Sequence, residues 1–174
     1  MINLEINNEV YNFPSGWNDV TLGQYISLNK LDALNLTKTK RLIKILSVLS
    51  GCDDEILMQV NVNDISKIDL SWINTLPQYK MVNELTINGR EYKVIDFTKL
   101  SLGEYADIEE FVGVDSFNNL DKIMAILVRP IVDGKVIEYN PEQLNNMAAE
   151  LKEHMNIEHV LSISNFFLDG GNKS

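Results

Sequence analysis

The chain has 174 residues, 15 lysines and arginines against 25 aspartates and glutamates, and a formal charge of −10. Its balance of 45% hydrophobic and 23% charged residues is that of a globular protein, one domain or two small ones sharing a core. The acidity argues against a dedicated duplex nucleic-acid binder, which needs a basic face to displace phosphate counterions. No apolar run approaches the ~18–20 residues of a membrane span. The opening stretch MINLEINNEV has neither a basic nor an apolar signal region, so it does not read as a signal peptide. A single cysteine, Cys52, excludes an internal disulfide and suits a reducing compartment.

In chain order the first signal is a pattern that returns. LEINNEVY at 4–11 matches LTINGREY at 85–92, sharing Leu, Ile, Asn and Tyr at equal spacing. TLGQY at 21–25 then matches SLGEY at 101–105, and LIKILSVL at 42–49 more weakly matches LDKIMAIL at 120–127. One such block is within reach of chance. Three in the same order make duplication the better reading. The expected architecture is α+β: two pseudo-repeats of a β-hairpin followed by helices, with an extra hairpin and C-terminal helices in the second. The first repeat spans 1–80, the second 81–168, and 169–174 is a loose tail.

Each repeat opens with alternating apolar and polar residues around a two-residue turn. Asn88-Gly89 is the stronger form and Asn7-Asn8 the weaker, because a type I′ turn needs φ > 0 at both central positions. Leu4, Ile6 and either Val10 or Tyr11 should share a buried face, as should Leu85, Ile87 and Tyr92. Thr21-x-x-Gln24 and Ser101-x-x-Glu104 read as capping boxes that start helices at about 22–34 and 102–112. Gly23 and Gly103 are poor helix formers, and a close backbone approach would explain both. Second helices are expected at about 38–50, stopped by Gly51, and about 118–128, ended by Pro130. Asp53-Asp54-Glu55 suggests a short helix and Asn63-Asp64 another over about 64–76. Asp133-Gly134 marks the extra hairpin over 131–139. Asn140-Pro141-Glu142 starts a helix to about 153, and 157–168 is a final helix or extended segment.

Chemistry-bearing residues are sparse. His154 and His159 lie five apart and do not share a helical face, so a metal site is not expected. Asp53 and Asp54 beside Cys52 disfavour a thiolate. Glu109-Glu110 are adjacent and do not face one another. No phosphate loop, dinucleotide fingerprint or Ser/His/Asp order is present. Catalytic, cofactor-binding and metal-ligating residues are therefore expected to be none. Lys38, Lys40, Arg41 and Lys44 form the one basic cluster, read chiefly as a solvated helix face and otherwise as a contact for phosphate or an acidic partner. Trp17, Tyr25 and Trp72 read as packing aromatics. Phe166, Phe167 and Leu168 read as a docking element, since two adjacent aromatics on a helix cannot both enter one narrow core.

FPSGWNDVTLGQYISL at 13–28, LSLGEYADI at 100–108, ILVRP at 126–130 and SNFFL at 164–168 together resemble small proteins of the structural modules of tailed bacteriophages of Bacteroidetes, including the crAss-like group. The resemblance implies a non-enzymatic, virion-associated protein of the tail or neck, such as cargo carried in the tail barrel. Its partners would be other phage tail or neck proteins and further copies of itself. Its place would be the virion, and the host cytoplasm during assembly. A tail-assembly chaperone absent from the mature virion is the alternative, and an unrecognised phage enzyme or inhibitor the second alternative. Within that resemblance Phe166, Phe167, Leu168, Lys38, Lys40 and Arg41 are the expected interface.

Overall fold

A computed structural model describes the backbone of residues 1–170 and the side chains of residues 1–164. The protein is α+β, with two small antiparallel sheets and eight helices among the described residues. Two compact units divide it: residues 1–20 with 24–78, and residues 21–23 with 79–174.

The first unit opens with β1 (Ile2–Ile6) and β2 (Glu9–Phe13), paired antiparallel with Leu4 opposite Tyr11 and Ile6 opposite Glu9. Asn7 and Asn8 take φ of 53° and 65° at the turn, positions asparagine tolerates better than other side chains do. Ile6 and Phe13 are buried, and Leu4 and Tyr11 pack against them. Val10 is 61% exposed. Of the two expected core residues, Tyr11 is thus the inward one, as the alternation of a strand requires. A 3-10 turn (Trp17–Asp19) precedes α1 (Leu22–Lys30). α1 is shorter than expected, giving way to a 3-10 turn over Leu31–Ala33. α2 (Lys38–Ser50) is capped by the Thr37 side chain and stopped by Gly51 at φ 71°. α3 (Asp54–Leu57) and α4 (Val62–Ile65) are single turns. The helix expected over 64–76 does not form. The Asn61 side chain caps α4 from Asn63 N–H, and Asp69 accepts from Ser71 N–H at 2.9 Å. Such local side-chain bonds compete with a helical ladder, and only a 3-10 turn (Ser71–Asn74) follows.

The second unit repeats the order. β3 (Glu84–Ile87) and β4 (Arg90–Val94) pair around Asn88 and Gly89 at φ 48° and 75°. Leu85, Ile87 and Tyr92 are buried. A 3-10 turn (Phe97–Lys99) leads to α5 (Leu102–Asp115) and then α6 (Leu120–Leu127). The chain passes directly into β5 (Val128–Val132), which pairs with β4 and, through Asp133-Gly134, with β6 (Lys135–Val136). The sheet order is β3-β4-β5-β6. Pro130 does not end the helix: it sits inside β5, opposite Tyr92. Its carbonyl accepts from Ile137 N–H at 2.9 Å, so its missing N–H falls on the side of the short edge strand, where it costs least. α7 (Leu144–His154) follows a 3-10 turn that begins at Pro141 under an Asn140 cap, and α8 (Ile157–Gly170) is the helical choice of the two readings for that segment. α6 is the core of this unit, with six of its eight residues buried against α7 and the sheet. Phe166, Phe167 and Leu168 belong to α8, but their side chains lie outside the described residues, as do residues 171–174 of the expected tail.

The duplication extends beyond the matched letters. Trp17 meets Tyr25 edge-on at 5.9 Å and 75°, and Phe97 meets Tyr105 edge-on at 5.5 Å and 64°. Both pairs join the 3-10 turn to the first turn of the helix after it. The shared glycines differ, however. A Cβ on Gly23 would lie 2.8 Å from the Lys152 carbonyl oxygen, whereas one on Gly103 would meet nothing within 4 Å. Close approach therefore explains Gly23 alone. Gly23→Ala is expected to destabilise the fold by about 1–3 kcal/mol through overpacking. Gly103→Ala should stabilise it by about 0.5–1 kcal/mol, by restricting the unfolded chain. Urea unfolding of the two variants checks the pair, and equal effects would refute the distinction.

Candidate functional site

In the second unit Ser101 and Glu104 form the expected capping box. Glu104 N–H donates to Ser101 Oγ at 3.3 Å, and Ser101 N–H donates to Glu104 Oε2 at 2.6 Å. The other carboxylate oxygen, Oε1, pairs with Nη2 of Arg129. Both side chains are nearly buried, with exposures of 11% and 5%. Nη1 of Arg129 donates to the Ile126 carbonyl and lies near those of Ala125 and Val128, which belong to the end of α6 and the residue after it. The guanidinium therefore sits at the negative end of one helix while the carboxylate sits at the positive end of another.

Tyr139 completes the arrangement. Its ring centroid lies 5.1 Å from the guanidinium carbon, within cation–π range. Its hydroxyl donates to Asp107 Oδ2 at 2.7 Å. Burial and that carboxylate acceptor push the phenol well above its ordinary value. Burial pushes the Glu104 carboxyl up, but the two Ser101 hydrogen bonds and the Arg129 charge outweigh it and hold the group below 4.5. Burial also lowers the Arg129 value.

Ser101, Glu104, Arg129 and Tyr139 line a cleft of about 770 Å³, together with Lys93–Asp96, Lys99 and residues 136–138. Its buried polar groups are already paired with one another, so their evident task is to fix the first turns of α5 to the sheet. Beyond Glu104, α5 is little covered. Ile108 and Phe111 are half-buried on its inner side. Leu102, Tyr105, Val112 and Val114 are exposed by 85%, 39%, 51% and 77%. This anchored, uncovered helix is the candidate interaction site.

The sequence did not single it out. Ser101 and Glu104 read only as a cap, and Leu102, Tyr105 and Val112 pass equally for a core stripe. Arg129 could have been noticed, since an arginine directly after the apolar run Ile126–Val128 is a buried charge in need of a partner.

The expected site residues lie elsewhere. Lys38 and Lys40 are exposed in the first turn of α2, while Arg41 pairs with Asp32 and Lys44 with Asp54. Glu109 and Glu110 are exposed. Cys52 is buried, and desolvation, with the Asp53 and Glu9 charges, raises its thiol. Burial lowers His159, and His154 lies 3.8 Å from Glu153. Trp17 meets both Tyr25 and Trp72, the Trp72 ring lying 5.1 Å from that of Trp17 at 84°, and Trp17 Nε1 donates to the Thr75 carbonyl. No helix of the described residues is long and apolar enough to cross a membrane. No family model, curated protein or solved structure matches the chain.

Removing one member of the buried pair leaves the other charge without its counter-ion. Arg129→Met and Glu104→Gln should each cost about 3–5 kcal/mol. A carboxyl held below its unfolded value of 4.5 contributes stability above that pH, lost as pH falls through the folded value. The wild type should therefore lose stability below about pH 4.5 more steeply than Glu104→Gln. Denaturant unfolding between pH 3 and 7 checks both points. Losses under about 1 kcal/mol would place the pair among surface ion pairs.

Proposed function

We propose that the chain is a non-enzymatic, virion-associated protein of a tailed phage, sited in the tail or neck and acting through protein contacts. Cargo carried in the tail barrel is the specific form. The observation that carries the contact role is α5: a rigidly anchored helix with large apolar side chains turned to solvent, in a chain whose charge of −10 keeps free copies apart. Such a face is what a binding surface requires. The phage setting rests on the resemblance of the 13–28, 100–108, 126–130 and 164–168 segments. Lys38 and Lys40, exposed at the start of α2, offer a second, basic contact, and Phe166–Leu168 a third.

Mass spectrometry of purified virions tests the placement. Stoichiometric copies of the chain are expected in the mature particle. Its absence from virions, with presence in infected-cell lysate bound to a tail protein, would replace this reading with a tail-assembly chaperone. Absence from both would remove the structural role.

A further inference from the structure

The duplication supplies a control for the exposed face of α5. Leu102 and Gly103 correspond to Leu22 and Gly23. Leu22 is wholly buried, its N–H donates to the Met155 carbonyl at 2.8 Å, and Gly23 abuts the backbone of Lys152. In the first copy the start of the helix thus meets the end of α7 at Lys152 and Met155. Leu102, the counterpart of Leu22, is by contrast 85% exposed.

The bare face also has a definite pattern. Residues 102, 105, 109 and 112 follow a 3-4-3 spacing, the seam of a helix pair. Leu102, Tyr105 and Val112 supply apolar positions, and Ala106 and Gly113 beside them let another backbone come close. Glu109 stands in the middle of the seam, and an occupant that buried it without a counter-charge would incur a heavy desolvation cost. α5 carries Glu104, Asp107, Glu109, Glu110 and Asp115 and no lysine or arginine. A second copy would set acid against acid across the seam.

Resting on the contact role above, we infer that α5 is the docking face for an amphipathic helix of basic character from another protein. That helix lays apolar side chains along Leu102, Tyr105 and Val112 and brings a lysine or arginine to Glu109. At Gly103, where an added Cβ would meet nothing within 4 Å, it finds the open approach that Lys152 fills at Gly23.

The test uses the full chain and two synthetic helices of about 21 residues, three heptads. One has leucine at the seam positions and lysine at the central seam and flanking positions; the other replaces every lysine with glutamate. Fluorescence anisotropy should show the basic helix binding at least tenfold more tightly than the acidic one. Val112→Asp and Leu102→Asp, both at exposed positions, should weaken it at least tenfold with unchanged circular dichroism. Glu109→Lys should reverse the preference. Failure of the basic helix to bind overturns the inference, as does binding that the two aspartate variants leave intact, which would report only the overall charge. Two further outcomes also overturn it. Self-association in sedimentation that Val112→Asp abolishes would make a second copy the occupant. Binding that appears only after truncation beyond Ser164 would assign the face to the chain's own C-terminal segment. Virion mass spectrometry remains independent: a chain present in virions that ignores the basic helix refutes this face alone, and a chain absent from virions that binds it refutes the placement alone.

Discussion

The pairing of Arg129 with Glu104 is the interaction on which the second half of the molecule depends. One guanidinium reaches the terminal carbonyls of α6 and the carboxylate that caps α5. A cation at a helix C-terminus and an anion at a helix N-terminus are each favoured singly. Here they are also favoured by each other. The burial of both charges would otherwise oppose folding, and the Ser101 hydrogen bonds and the carbonyls satisfy the groups that the ion pair leaves over. Because Tyr139 ties Asp107 to the same place, the first two turns of α5 are held while its outer face stays open.

That arrangement anchors the start of α5 while leaving apolar side chains exposed along it. Most amphipathic helices gain their stability by burying one stripe. α5 is instead held at its N-terminal end by polar contacts and at Phe111 by packing, with Lys122 5.0 Å above the ring. The apolar positions left outside are then available for another chain. The proposed protein-contact role and the inferred basic helical partner both rest on this one feature.

The two copies show how a repeated local sequence acquires different tasks. TLGQY and SLGEY both start a helix after a 3-10 turn with an edge-on aromatic pair. Gln24 donates to the Leu49 carbonyl at 2.9 Å, while Glu104 at the matching position holds a buried arginine. The change from a neutral amide to a carboxylate is small on paper. It needs a cation in the interior, and β5 supplies one in the only copy where a strand follows the second helix.

The hairpins, their turns and the order of the helices are legible in the residues, because they follow from local physics. Asn7-Asn8, Asn88-Gly89 and Asp133-Gly134 accept left-handed backbone, Ser101 and Glu104 close a cap within one turn, and Gly51 ends α2. What depends on distant neighbours is not legible there. Pro130 reads as a helix stop, yet it is a strand residue because β4 lies alongside to pair with it. Asn63-Asp64 reads as a long helix, yet it yields to side-chain bonds around Asn61 and Asp69. Leu22 is covered and Leu102 bare, and Gly23 meets a carbonyl while Gly103 meets nothing, through packing alone. Solvent exposure belongs to what packs against a residue, and identical letters at identical spacing carry no record of it.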